Sequence, residues 1–284
     1  MASMRDIKRR KSSISSTQQI TKAMKLVSTV KLQKAKTHAE QANPYFNYMY
    51  KTVSSMLARS GTLNHPYLAG GDSKKKAVIM ITSNRGLAGG YNANVVKLIT
   101  ESDFSKEDLD IYAIGNKGRE MLSHKGYNIV KEDAEIIEAP TYEEAAALSR
   151  EVLKAYSEGK IGEIYLAYTH FKNTVVHEPK LIKLLPIDVS DVEIEEDNNI
   201  LMNYEPTEEE ALDMIIPKYV TSLVYGALVE AVASENGARM QAMDSATSNA
   251  EDMISDLSLK YNRARQGSIT QELTEIIAGA AAIS

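Results

Sequence analysis

From Thr207 to Ser284 the chain reads as one helix, and at 1.5 Å per residue such a segment would reach roughly 115 Å, far beyond the diameter of a compact domain. Thr207 and Glu210 form a capping box directly after Pro206. Arg239, Met243, Ala246, Ala250, Met253, Leu257, Tyr261 and Ala264 then recur at steps of three and four, a coiled-coil seam with one slip in register. Residues 3–58 read as a second long helix, with Pro44 as their only proline and Gly61 as the first glycine of the chain. Its stripe of Ile7, Ile14, Thr17, Thr21, Met24, Ser28, Leu32, Ala35 and Ala39 is thin and rich in small residues, which suits close packing on one partner helix. A proline at position 44 is expected to kink this helix rather than end it. Helices at the two chain ends, with something globular between them, pair most simply as an antiparallel coiled coil.

Between them the period changes. Lys76–Thr82, Ile111–Ile114 and Glu163–Tyr168 have the length and β-branching of buried strands, and Val175–Leu185 offers a fourth. Amphipathic stretches near 91–102, 117–125 and 141–158 alternate with them. This pattern predicts an α/β domain with a largely parallel sheet. The expected division is therefore a helix at 3–58, an α/β domain at 74–200 and a helix at 207–284.

Charge is segregated along the chain. Residues 1–36 carry ten Lys or Arg against one acid, Asp6, while Pro186–Asp213 holds eleven acids and no base. The whole chain nets −5. The two regions are expected to face different partners. The basic N-terminal helix admits three readings: a transit peptide, a nucleic-acid-binding stripe, and a cationic shaft inside a polar sleeve. The second lacks any aromatic residue before Tyr45 to stack on bases. No cleavable presequence is expected. No run approaches eighteen consecutive apolar residues, so no membrane span is expected.

Little here carries chemistry. There is no cysteine, which excludes disulfides and thiol nucleophiles. Ser83-Asn84-Arg85-Gly86-Leu87-Ala88-Gly89-Gly90-Tyr91-Asn92 follows the first strand, but it has neither dinucleotide-binding nor P-loop spacing. It reads as a tight turn needing positive φ, with Arg85 on the surface. His170 and His177 are expected to face solvent rather than to pair across a hairpin. No cofactor, metal or catalytic residue is expected. Two alternatives stay open on these grounds: a coiled-coil adaptor binding nucleic acid through residues 5–36, and a small α/β enzyme with a helical dimerisation arm.

Several blocks resemble the gamma subunit of rotary ATP synthases. They are Ile269–Ala280, Glu235–Met243, Ala246–Ala250, Ile20–Met24 with Val27 and Ser28, and the turn Ser83–Asn92, which is similar to that family's S-D-R-G-L-C-G with Asn84 for Asp and Ala88 for Cys. The resemblance implies a bacterial, non-catalytic rotor shaft of a proton-translocating ATP synthase, present once per complex. It would have a coiled coil inside the alpha/beta hexamer and a Rossmann-like foot on the epsilon subunit and the membrane c ring, peripheral on the cytoplasmic side of the cell membrane. It further implies rotor–stator contacts at Met24, Arg239, Arg265, Gln266, Thr270 and Glu272, and a foot contact at Tyr204 and Glu205.

Overall fold

The computed structural model describes residues 4–59, 65–71, 73–187 and 207–283. The chain divides into two compact units, Met1–Ser28 with Met240–Ser284, and Thr29–Arg239. The cut from local periodicity falls where the period changes; the compact units instead divide both long helices partway along. Those helices are α1 (Met4–Arg59), which runs through Pro44, and α6 (Glu208–Ile283), which runs through Pro217. The Glu210 N–H donates to Thr207 Oγ1 (3.2 Å), so the threonine caps α6 as its position predicts.

In the first unit the two helices run antiparallel. Gln18 Nε2 donates to Glu251 (3.0 Å), the Thr21 and Thr247 hydroxyls lie 2.8 Å apart, and Lys25 Nζ reaches Asp244 (2.6 Å). The α6 positions turned inward are Met243, Thr247, Ala250, Ile254, Leu257, Tyr261 and Ala264, a regular four–three alternation. The expected slip is therefore absent. Met253 is 54% exposed and Ile254 takes its place, because the true seam passes through Thr247, whose hydroxyl disguises an inward position. The same holds on α1, where Gln18 lies inward and Thr17 is exposed, its hydroxyl bonded to the Ser13 carbonyl. Buried Thr21 and Thr247 avoid a desolvation cost by bonding each other.

The second unit is built on five strands: β1 (Lys76–Ile81), β2 (Leu109–Ile114), β3 (Asn128–Asp133), β4 (Glu163–Phe171) and β5 (His177–Leu185). Their order is β3-β2-β1-β4-β5, parallel except for β5, which pairs antiparallel with β4. β3 has no counterpart in the sequence reading; as an edge strand it alternates half-buried and exposed residues and carries Lys131, Glu132 and Asp133. The short α2 (Pro66–Ala69) precedes β1, and helices α3 (Tyr91–Thr100), α4 (Asn116–His124) and α5 (Tyr142–Ser157) connect the strands. The capping box Thr141–Glu144 starts α5.

Because side chains alternate along a strand, β1 feeds two cores at once. Val78 and Met80 pack with Val95, Val96 and Ile99 of α3 and Leu122 of α4. Ala77, Ile79 and Ile81 pack with Leu148 and Val152 of α5, Val53 and Met56 of α1, and Leu212, Ile216, Val220, Val224 and Leu228 of α6. By length and composition alone α6 is apolar enough to cross a membrane. Half of that stretch is buried inside the protein, and these sheet-facing residues belong to the core.

At one end of the sheet Glu163 gathers Lys76, Lys183 (2.9 Å) and the Tyr165 hydroxyl (3.2 Å), with Lys76 also over the Phe104 ring. Burial pushes the Glu163 carboxyl up, but the two ammonium groups more than offset it and hold the pKa at about 2. A depressed carboxylate stabilises the fold above its unfolded pKa and loses that contribution as pH falls towards the folded one. The stability difference between wild type and Glu163→Gln should thus be up to about 3 kcal/mol near neutrality and shrink between pH 4.5 and 2. Urea titrations across that range measure it. The seam makes a second demand: Leu257→Ala should cost about 2 kcal/mol or more, and Met253→Ala no more than about 0.5 kcal/mol. Thermal unfolding of the two variants separates this register from the slipped one.

Candidate functional site

The strand order reverses between β1 and β4, and in open α/β sheets that reversal opens the crevice where a nucleotide would sit. Here the turn after β1 is Ser83–Gly90. Ser83 Oγ donates to the Arg85 carbonyl (2.7 Å), the Ser83 N–H donates to Asn92 Oδ1 (2.9 Å), and Asn84 Nδ2 donates to the Ala134 carbonyl (2.6 Å). Leu87 and Gly89 have positive φ, 64° and 57°, as a tight turn requires, and Arg85 is exposed. This much follows the sequence reading.

What fills the crevice is α6. The Tyr91 hydroxyl donates to the Ala231 carbonyl (3.1 Å), and Ser234 Oγ donates to the Thr169 carbonyl of β4 (3.1 Å). Arg239 Nη2 donates to the carbonyls of Arg85 and Gly86 (3.3 and 3.4 Å) while its Nη1 pairs with Glu235 (2.6 Å). The turn therefore offers carbonyls to a guanidinium, the opposite polarity from a phosphate cradle. Both side chains of the Glu235–Arg239 pair are nearly buried. Burial pushes the Glu235 carboxyl up, and Arg239 pulls it partly back. Burial also raises the Tyr91 phenol well above its ordinary range, so it stays a donor.

The two histidines are not solvent-facing. His170 Nδ1 lies 2.7 Å from Glu230 of α6, and half-buried His177 sits tilted against the Phe171 ring, centroids 6.0 Å apart. They do not pair: His170 registers with Glu178, and Phe171 with His177. Gly237 exists where it does because a Cβ there would run into the His177 ring. Burial lowers the His177 pKa, so the ring is neutral in this contact. Tyr91, Ser234 and Gly237 carry the joint; Ser234 was not named from sequence, and Tyr91 and Gly237 stood only inside quoted blocks with no role given. The one available signal was a glycine in the middle of a long helix.

The residues assigned to rotor–stator contact fall in different places. Met24 is half-buried in the first unit, beside the Lys25–Asp244 pair and well away along α6 from Arg265. Arg265, Gln266, Thr270 and Glu272 are exposed on α6 in that unit, with Thr270 Oγ1 bonded to the Gln266 carbonyl (2.9 Å) and Glu272 accepting from Ser268 Oγ (3.4 Å). Arg239 lies in the other unit, its guanidinium engaged internally. Tyr204 and Glu205, with most of the acidic stretch, lie outside the described residues. Among the described residues no group of His, Asp and Glu side chains has metal-binding geometry.

Comparison with known proteins fits this arrangement of two long helices around a filled sheet. The family described as ATP synthase matches residues 3–283. The chain is 67% identical to the ATP synthase gamma chain of Lachnoclostridium phytofermentans over the full length of both, and 44% identical to that of Alkaliphilus metalliredigens over 99% of this chain and 98% of the relative. The chain belongs to the ATP synthase gamma chain family. Among solved structures, a chain of the central stalk and c-ring of Tetrahymena thermophila mitochondrial ATP synthase superposes with a TM-score of 0.60 at 25% identity, covering 80% of this chain and 99% of that one. Members of this gamma chain family are non-catalytic subunits, in keeping with a crevice closed by the protein's own helix.

The joint makes a quantitative demand. Arg239→Leu strands the buried Glu235 carboxyl and should cost about 3 kcal/mol. Removing both charges with Glu235→Leu and Arg239→Leu should cost distinctly less than the sum of the single changes. A double-mutant cycle by urea unfolding of the full chain checks it, and simple additivity would show the two side chains to be energetically independent.

Proposed function

We infer that this chain is the central rotor shaft of a bacterial ATP synthase. It couples rotation of a membrane ion ring to ATP synthesis or hydrolysis in an alpha/beta hexamer, without a catalytic site of its own. One observation supports this most directly. Beyond Ser268 every described residue of α6 is exposed, and that end carries Ile269 (45% exposed), Leu273 (54%), Ile276 (68%) and Ile277 (67%). These four residues line one stripe of the helix, and an apolar stripe that nothing among the described residues covers calls for a surface supplied by other subunits.

The physical case for a shaft rests on symmetry. Three equivalent catalytic sites around a threefold sleeve stay identical unless something inside breaks the symmetry. A pair of antiparallel helices has no threefold axis, so it meets each site with a different face. Turning it would change which site is which. The relation to the membrane follows from the family, whose complexes are membrane-associated; on our reading this subunit is peripheral, on the cytoplasmic side. The α/β unit would be the foot, meeting the epsilon subunit and the c ring, with Tyr204 and Glu205 at that contact.

On this reading Arg265, Gln266, Thr270 and Glu272, exposed on α6, and Met24 on α1 are the side chains that meet the stator. Arg239 would serve coupling from a distance, by holding α6 against the sheet. A guanidinium presents fixed donors to a carboxylate, so a contact at Arg265 is directional as well as attractive. The test is the pair Arg265→Ala with Gln266→Ala in the assembled complex. Assembly should survive, because the seam from Met243 to Ala264 is untouched. ATPase rate and ATP-driven ion pumping in membranes should each fall about tenfold, the equivalent of one lost charge-assisted bond. Unchanged subunit composition, turnover and pumping would remove these two residues from the coupling role.

A further inference from the structure

Within the second unit, a cavity of about 420 Å³ opens between α1, the segment joining β3 to α5, and α6. That is the size range of small-molecule sites. Its walls are mainly apolar, with Ile137 and Pro140 on one side and Val229 and Val232 on the other. Its polar groups are unevenly disposed. Lys31, Lys34 and His38 project from one face of α1 at three- and four-residue spacing. The carboxylates at the cavity are already engaged: Glu138 accepts from Asn84 Nδ2 (3.0 Å), and Glu235 pairs with Arg239 (2.6 Å). At the inner end, Asn236 is 4% exposed and its Oδ1 has no hydrogen-bond partner among the described residues.

We propose that this cavity binds a small amphipathic anion: a carboxylate or sulfonate held by Lys31 and Lys34 at the mouth, on an apolar body lying between Ile137, Pro140, Val229 and Val232. The positive rim selects charge: Arg239 neutralises Glu235, and the two lysines outnumber Glu138, whose partner Asn84 is a neutral amide. The apolar walls select against a bare inorganic ion, which would have to leave its water against hydrocarbon. Such a ligand touches three elements at once and therefore ties them together. The assignment does not depend on rotation.

The chain has no cysteine of its own, so one introduced thiol reports on the cavity alone. Ala139 is exposed and lines the cavity. In the full chain carrying Ala139→Cys, the rate of alkylation by neutral iodoacetamide is measured with increasing naphthalene-1-sulfonate, and with naphthalene-1-sulfonamide as the uncharged counterpart. The sulfonate should slow alkylation saturably, and the sulfonamide should be about tenfold weaker, the loss of one charge-assisted bond. Adding Lys31→Gln and Lys34→Gln should bring the sulfonate down to the level of the sulfonamide. A thiol at exposed position 252, from Asp252→Cys in the other unit, should be unaffected. Absence of saturable protection, equal protection by the two compounds, indifference to the two lysines, or equal slowing at position 252 would each overturn the proposal.

Discussion

A helix tens of residues long in water must give its apolar stripe to something, because propensity alone does not hold it and exposed apolar stripes associate. α6 meets this demand twice along one unbroken helix. From Leu212 to Ala231 its stripe belongs to the sheet's core, and from Met243 to Ala264 it belongs to the coiled coil with α1. The two partners impose different requirements. Against a sheet, bulky Leu, Ile and Val fill a broad surface. Against a single helix, Ala250, Thr247 and Ser28 let two backbones come close along a narrow line. The change of residue size along α6 is therefore a record of what lies beside it.

Between those stretches lies the segment Ala231–Arg239, and there nonspecific packing gives way to directed bonds. Tyr91 to Ala231, Ser234 to Thr169 and Arg239 to Arg85 and Gly86 fix both the rotation and the sliding of the helix against the sheet. Apolar contact resists separation but tolerates slippage, because it has no direction. Hydrogen bonds to specific carbonyls do not tolerate it. Any torque applied to the α/β unit would have to pass into α6 through bonds of this kind. That gives the Glu235–Arg239 pair a mechanical reason for being buried, at a site where two apolar residues would pack as well.

The helices, the largely parallel sheet and the threonine cap at Thr207 were legible because each depends on local pattern. What was hidden depends on partners distant in sequence. The slip assigned to the C-terminal seam came from taking Ala246 over Thr247 by hydrophobicity and Met253 over Ile254, when Thr247 lies inward because Thr21 faces it. β3 was missed because an edge strand with Lys131, Glu132 and Asp133 has half the apolar signal of a central one. His170 and His177 looked like surface residues because nothing near them in the chain announces Glu230 or Gly237. The residues assigned to intersubunit contact came from resemblance alone, and for Arg239 that route gave no sign of the bonds its guanidinium makes within its own chain.

The same arrangement explains why a sheet of nucleotide-binding type can carry no nucleotide chemistry. A dinucleotide-binding fold needs three things at its switch point: open space beyond the strand ends, backbone N–H groups facing that space, and a helix start that adds positive potential. Here α6 occupies the space, with Gly237 allowing the approach to His177, and the Arg85 and Gly86 carbonyls face a guanidinium in place of a phosphate. Replacing a ligand by a helix of the same chain turns a binding crevice into a permanent joint. The glycine-rich turn is retained because a tight reversal after β1 is still required, with Leu87 and Gly89 at positive φ, whether its outer face meets a cofactor or the protein's own arginine.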